Sequence, residues 1–138
     1  MRISSLDPGF NTGVAIAILH ESISTQHVTL EKYLLCTLID EPAATAKLVL
    51  ASRSKICLME AKPKNAADSK WVPNARIRTL LKDQTVAEIG PGTWKPFMRS
   101  RLQELEPWAP ETQHEKDAMA MLFYWCQITY PKRSIKYV

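Results

Sequence analysis

Apolar positions divide the chain into a series of short strands and helices. Residues 2–7 and 13–19 predict two strands, and the Pro-Gly pair between them indicates a tight turn. Residues 23–30 alternate loosely between apolar and polar, which predicts a third strand and an antiparallel meander at the start of the chain. The next segment, 32–39, is compatible with either a strand or a helix.

After the meander, strands and helices alternate. A helix is predicted over 41–52, with Asp40 as its cap and Glu41 in its first turn. The remaining elements are a buried strand over 55–60, a polar loop over 62–69, a helix over 70–82, a strand over 84–89, and helices over 94–105 and 113–128. This order predicts a mixed α/β sheet with helices on its faces, in a single domain over 1–130 followed by a short basic tail over 131–138.

The composition is that of a globular protein in a reducing, intracellular setting. Apolar residues make up 46% of the chain, which is enough for a core. The three cysteines lie far apart and form no C-x-x-C pair, which argues against a disulfide framework and against a zinc site. No apolar run approaches the roughly 20 residues of a membrane span, and no secretory signal is recognisable, so we expect a cytoplasmic protein without a membrane partner.

Basic charge is concentrated in the second part of the chain. Residues 1–50 carry three basic against five acidic residues, a net charge of −2. Residues 51–138 carry fifteen against nine, a net charge of +6. Because each phosphate contact releases condensed counterions, this imbalance favours a polyanionic partner, although a solvated basic face has the same composition.

Acidic residues occupy positions where a globular core would be apolar. Asp7 and Glu60 each end an apolar strand, and Asp117 lies near the start of an apolar helix, three residues after His114. Positions three apart share a helix face, whereas Glu115 lies about 100° round the helix and should face elsewhere. Crowded carboxylates repel one another unless a cation neutralises them, and their oxygens suit Mg²⁺ or Mn²⁺. The alternative is that these acids are solvated turn and helix-capping residues.

Three motifs, in order, make the sequence resemble the RuvC family of Holliday junction resolvases. The first is ISSLDPGFNTGVAIA, which resembles the family's opening hairpin with its Asp-Pro-Gly turn. The second is CLMEAKPKNAADSKWVPNARIRTLL, which resembles the strand ending in the catalytic Glu, followed by a Lys- and Asn-containing loop and a helix. The third is HEKDAMAMLFYW, which resembles the His-x-x-Asp-Ala start of the final helix. Together they span residues 3–125.

The resemblance implies an RNase H-like fold, with a five-stranded sheet of three antiparallel strands and then two parallel ones. It also implies a nuclease with two Mg²⁺ ions, for which Mn²⁺ can substitute. Asp7 would bridge both metals, and Glu60 would ligate one of them and help to hold the attacking water. His114 and Asp117 would complete the catalytic metal site from the last helix.

A homodimer that cuts two strands of a four-way junction is also implied. The two protomers would pack through the helix near 70–82, with apolar contacts from Trp71, Ile77 and Leu81. DNA contacts are expected from polar and basic residues near the acids, namely Lys62, Lys64, Asn65, Lys95 and Arg99. A solvated helix face is the alternative for the last two of these.

The sequence departs from the family in two places. The turn after Asp7 is one residue shorter than in the typical bacterial enzyme. The loop after Glu60 lacks the aromatic residue that wedges into the junction, and Trp71 is the nearest aromatic along the chain. The chain is also shorter than typical cellular resolvases, whereas compact relatives with broader branched-DNA substrates occur in bacteriophages. A phage origin, and hence a bacterial host cell, is therefore our expectation.

These observations predict a Mg²⁺-dependent, structure-selective endonuclease that resolves Holliday junctions and other branched DNA. One alternative is a catalytically silent protein of the same fold that binds branched nucleic acid. The other is an RNase H-like nuclease that acts on RNA–DNA hybrids.

Overall fold

A mixed β-sheet with helices on both faces forms the core of the computed structural model, which describes residues 1–22, 26–62, 65–67 and 71–138. The strands are β1 (Arg2–Asp7), β2 (Asn11–Glu21), β3 (His27–Ile39), β4 (Ile56–Glu60), β5 (Val86–Ile89) and β6 (Ser134–Tyr137). The helices are α1 (Pro42–Ser52), α2 (Val72–Leu80), α3 (Pro91–Met98) and α4 (Gln113–Thr129), with a 3₁₀ helix over Leu102–Trp108. The strand order is β5-β4-β1-β2-β3-β6.

The antiparallel meander is longer than the sequence pattern indicates. β2 pairs with β3 from Asn11↔Ile39 to Glu21↔Val28, so the ambiguous segment 32–39 belongs to the third strand. A register shift between Ile16 and Ala17 marks an irregularity in this long pair. The first residues of the predicted strand, 23–25, lie outside the described part of the chain.

Within the described residues the sheet has six strands rather than the five predicted. Residues 134–137 of the basic tail form β6, which pairs in parallel with β3 at Val28↔Ile135. Ser134 and Lys136 are exposed, whereas Tyr137 stacks on Phe123 of α4 with ring centroids 3.8 Å apart. The sequence pattern did not predict β6, because alternate residues of this sheet-edge strand face solvent and are polar or basic.

Two helix boundaries differ from the prediction. Asp40 does not cap α1: its φ of 44° is left-handed, and its amide donates to the Phe10 carbonyl at 2.7 Å. Glu41 is the N-cap and Pro42 begins the helix, where proline is favoured because no amide donor is needed. For the same reason α3 begins at Pro91, before the predicted residue 94, and the chain turns after Met98 into the separate 3₁₀ helix.

Alternate side chains of the central strands enter two different layers. Ile3 and Ala15 pack in the layer that contains α3 and α4, whereas Leu6 and Val14 pack in the layer that contains α1 and α2. Residues of β1 and β2 that lie an even number of positions from Ile3 and Ala15, respectively, are on the same face of the sheet and therefore face α4. None of the helices in the described ranges has both the length and the apolar character that crossing a membrane requires.

Candidate active site

The residues predicted at the metal site lie near one another where two strands end and one helix begins; they are Asp7, Glu60, His114 and Asp117. Asp7 is the last residue of β1 and Glu60 the last residue of β4. The two strands run parallel with Leu6 opposite Met59, so the two carboxylates leave neighbouring strands at the same end. The sequence analysis placed each acid at the end of an apolar strand, and the structure shows that these two strands are neighbours.

His114 makes a direct side-chain contact with Asp7. Its Nδ1 lies 3.1 Å from Oδ2 of Asp7, and the Asp7 side chain is only 17% exposed whereas that of His114 is 40% exposed. Asp117 follows one turn later on α4, and its Oδ1 accepts a hydrogen bond from Gln113 Nε2 at 2.8 Å. The helix therefore presents an imidazole and a carboxylate on the face that covers the ends of β1 and β4.

Gly13 explains how α4 comes so close to the sheet. It lies opposite Asp7 in the β1–β2 ladder and is buried under the first turn of α4. A β-carbon at this position would lie 2.9 Å from the Glu115 amide nitrogen and would overlap the His114 carbonyl group. Only glycine allows this approach, and sequence reasoning missed the role although Gly13 lies within the first motif.

Burial and mutual repulsion raise the pKa of both strand-end acids. For Asp7 burial is the largest cause; the hydrogen bond from His114 opposes it, and the Asp117 charge adds to it. For Glu60 burial again dominates and the Lys95 charge opposes it, while Asp7 and Asp117 push the pKa further upwards. The indole N–H of Trp94 also lowers the pKa of Glu60, although it forms no hydrogen bond of normal geometry with that carboxylate. Burial and the neighbouring carboxylates therefore disfavour the charged form of both acids, and His114 and Lys95 offset this only in part.

The donor set fits a hard divalent cation. Carboxylate oxygens are the ligands that Mg²⁺ and Mn²⁺ prefer, and a bound cation would offset the burial and the repulsion that together raise these pKa values. Among the described residues, however, no three acidic, histidine or cysteine side chains already converge into a metal-binding cluster. Mg²⁺ retains several waters and binds through few carboxylates, so a preformed protein cage is not required.

The predicted DNA-binding residues are placed unevenly with respect to this site. Lys95 is exposed on α3 and Arg99 directly after it, and Lys95 is near enough to lower the pKa of both Asp7 and Glu60. Lys62 and Asn65 are exposed after β4. Lys64 lies outside the described residues.

A cavity of about 820 Å³ runs between α3, the 3₁₀ helix and α4. Its lining includes Lys95 and Arg99 on one side and Lys116 and Asp117 on the other, so it connects the basic residues to the acid cluster. Trp94 is 3% exposed and forms part of the core. Lys116 also lines this cavity, and sequence reasoning did not single it out, although it lies within the third motif.

The residues predicted to form a dimer interface are mostly unavailable to a partner. Ile77 is fully buried and Leu81 is 1% exposed, both in the core layer beneath α1 and α2. The prediction was therefore wrong for these two residues: their helical spacing reflects the monomer's own core. Trp71 is half-buried and retains some accessible surface.

Comparison with known proteins gives a structural match but no sequence match. No protein-family model and no curated protein matches this chain. Thermus thermophilus RuvC superposes with a TM-score of 0.73 at 12% identity, over 97% of this chain and 99% of that one. The fowlpox virus Holliday junction resolvase gives 0.58 at 13% identity over 95% and 99%, respectively. The yeast mitochondrial Holliday junction resolvase gives 0.62 at 13% identity over 94% and 81%. The fold is therefore RuvC-like and RNase H-like, as the sequence resemblance implied.

Proposed function

We propose that this protein is a Mg²⁺-dependent endonuclease that resolves Holliday junctions and related branched DNA. The observation that carries the proposal is the meeting of Asp7, Glu60, His114 and Asp117 at one end of a RuvC-like sheet. Two of the similar structures, from Thermus thermophilus and fowlpox virus, contain Holliday junction DNA. The substrate of this chain is inferred from that similarity together with its own charge distribution.

The carboxylates would hold the metal ions. Asp7, Glu60 and Asp117 would supply oxygen ligands, and the bound Mg²⁺ would lower the pKa of a water and stabilise charge on the leaving oxygen. Without a cation, burial keeps the pKa of Asp7 and Glu60 above the ordinary range. The carboxylates at this end of the sheet would therefore favour the binding of a cation.

His114 would handle a proton or occupy a metal position. Its Nδ1 is held by Asp7, which fixes the orientation of the ring and favours one tautomer. With the Nδ1 proton shared with the Asp7 carboxylate, Nε2 is left to accept a proton, and the 40% exposure of the side chain lets solvent or substrate reach it. This arrangement suits a group that gives a proton to, or takes one from, an attacking or leaving oxygen.

A basic groove would guide DNA to the acids. Lys95, Arg99 and Lys116 line the cavity that ends at Asp117, and their charges complement a phosphate backbone. Lys62 and Asn65, after Glu60, would add contacts on the other side of the cut. Flaps and forks share this phosphate geometry, so we propose that they are substrates as well.

Two cuts in one junction require two active sites, and we therefore propose a homodimer. With Ile77 and Leu81 buried, the larger accessible apolar side chains on and beside α2 include Trp71, Val72 and Leu80. The size of the assembly can be measured by sedimentation, with and without junction DNA. Trp71→Ala together with Leu80→Lys should shift it towards the monomer.

A panel of labelled substrates tests the proposal. A four-way junction, a flap, a fork, a linear duplex and an RNA–DNA hybrid should each be incubated with Mg²⁺, Mn²⁺ or EDTA. Paired, metal-dependent nicks in branched DNA are the expected result. Junction binding without cleavage under either metal would favour the silent binder, and preferential cutting of the hybrid would favour an RNase H activity.

A further inference from the structure

Three residues form a straight row across the sheet directly beneath the start of α4. Asp7 of β1 lies opposite Gly13 of β2, and Gly13 lies opposite Thr37 of β3. Cross-strand partners share a face of the sheet, so all three positions face α4. Asp7 contacts His114, and Gly13 is covered by the His114 backbone. Thr37, the third member of the row, has no part in the site described above.

Thr37 contacts Glu115, the residue next to His114. The Thr37 hydroxyl donates to Glu115 Oε2 at 2.7 Å, and the Thr112 hydroxyl lies 3.1 Å from the same oxygen. The other carboxylate oxygen, Oε1, accepts a hydrogen bond from the Glu111 amide at 3.2 Å. Glu115 is only 6% exposed, so its carboxylate is buried and held from both sides.

Helix capping alone does not account for this arrangement. Thr112 is the N-cap of α4 and accepts a hydrogen bond from the Glu115 amide at 3.1 Å, which with Glu115 at the third helical position resembles a capping box. Such a motif is satisfied within the helix terminus and is normally solvated. Here the carboxylate is buried against a neighbouring strand, and burying a charge is costly unless its hydrogen bonds are made. The additional bond to Thr37 ties the helix to the sheet.

We infer that Glu115 and Thr37 are positioning residues that hold His114 against Asp7. Adjacent residues of a helix point about 100° apart, so Glu115 reaches β3 on one side of Gly13 while His114 reaches β1 on the other. Two anchors on either side of a close backbone contact stop the first turn of α4 from rotating about its axis. Loss of the contact between Thr37 and Glu115 frees the first turn of α4, so that the His114 imidazole moves away from the Asp7 carboxylate. That this positioning matters for catalysis rests on the proposed nuclease function.

The first test is spectroscopic and needs no activity. The ¹⁵N resonances of the histidine rings are recorded for the full chain, with His20 and His27 as internal references and Asp7→Ala defining the position of an unbonded His114 Nδ1. Thr37→Val and Glu115→Ala should each shift the Nδ1 resonance towards that position. Thr37→Ser keeps the hydroxyl and should restore the native resonance. Thr29→Val is a matched control, since it lies on β3 about 26 Å from Thr37.

The second test measures turnover on a four-way junction. Thr37→Val should lower kcat by about tenfold or more, because a misplaced catalytic group is costly, and should leave KM unchanged. Thr37→Ser should recover the native rate. If Glu115→Ala fails to fold, Thr37→Val alone decides the outcome. A native Nδ1 resonance in Thr37→Val overturns the inference, whereas a shifted resonance in a protein without nuclease activity overturns only the proposed function.

Discussion

Nδ1 of His114 lies 3.1 Å from Oδ2 of Asp7, although 107 residues separate the two along the chain. The contact joins the first strand of the sheet to the last helix, and Glu60 enters the same space from β4. It lowers the pKa of a carboxyl group that burial would otherwise raise further. The contact therefore links the geometry of the site to its charge.

Removing the strand-end acids should abolish cleavage without weakening DNA binding. Asp7→Asn and Glu60→Gln keep the size of each side chain but remove the charge that would hold a cation. We expect kcat to fall by at least about 100-fold, which corresponds to the several kcal/mol that a catalytic metal supplies. Junction affinity, measured by gel shift with Ca²⁺, should stay within about twofold, because phosphates are bound by other residues. Retained turnover in either variant would exclude that residue from the site.

The raised pKa values predict how stability depends on pH without metal. An acid whose pKa is higher in the folded state binds more protons there, so stability falls as pH rises from its ordinary value to its raised one. For Asp7 and Glu60 the fall should begin near the ordinary values of 3.8 and 4.5. Urea unfolding in EDTA across this range measures it, and the double variant Asp7→Asn, Glu60→Gln should flatten the profile. A profile as steep in the double variant as in the native protein would contradict the assignment.

Mg²⁺ should restore the stability that is lost at neutral pH. A cation that binds only the folded chain at 100 times its dissociation constant adds about 2.7 kcal/mol. Thermal unfolding with increasing Mg²⁺ or Mn²⁺ should show this rise in native protein and not in Asp7→Asn. An equal shift in both would point to ion binding elsewhere.

Much of this site follows from sequence because its acids stand in ordered motifs at the ends of strands. Asp7 and Glu60 end neighbouring strands, and the three-residue spacing of His114 and Asp117 sets them on one helix face. Glu115 faces away from Asp7, as the 100° rotation required, yet its contact with Thr37 joins residues 78 positions apart and leaves no local signal. The burial of Ile77 was missed for a similar reason, since an apolar helix face does not reveal whether it packs in the core of its own chain or against a second protomer.

Gly13→Ala should displace the start of α4. The added β-carbon would overlap the His114 carbonyl, and overpacking of this kind costs about 1–3 kcal/mol. Turnover should fall because His114 moves away from Asp7. Gly92→Ala is the matched control, because among the described residues nothing beyond its chain neighbours and its own helix backbone lies within 4 Å of the new β-carbon. Equal stability and turnover in the two variants would refute the close approach of α4 to β2.

The basic groove should account for part of the salt dependence of DNA binding. Lys95→Ala with Arg99→Ala removes two cations that line the cavity next to Asp117. The slope of log affinity against log salt should decrease by about 1.8, at about 0.9 for each lost phosphate contact. Lys47→Ala with Lys82→Ala removes two exposed cations from α1 and the end of α2, in the other layer, and should leave the slope unchanged. Equal slopes for the two double variants would move the DNA path elsewhere.

Cleavage of a labelled immobile four-way junction is the most direct test of the central claim. Native protein and Asp7→Asn should be compared side by side, each with Mg²⁺ and with EDTA, at protein concentrations that saturate the junction. We expect paired nicks near the crossover only in native protein with Mg²⁺, while Asp7→Asn binds the junction and leaves it intact. Binding by native protein without any cutting, or equal cutting in EDTA, would contradict a metal-dependent resolvase.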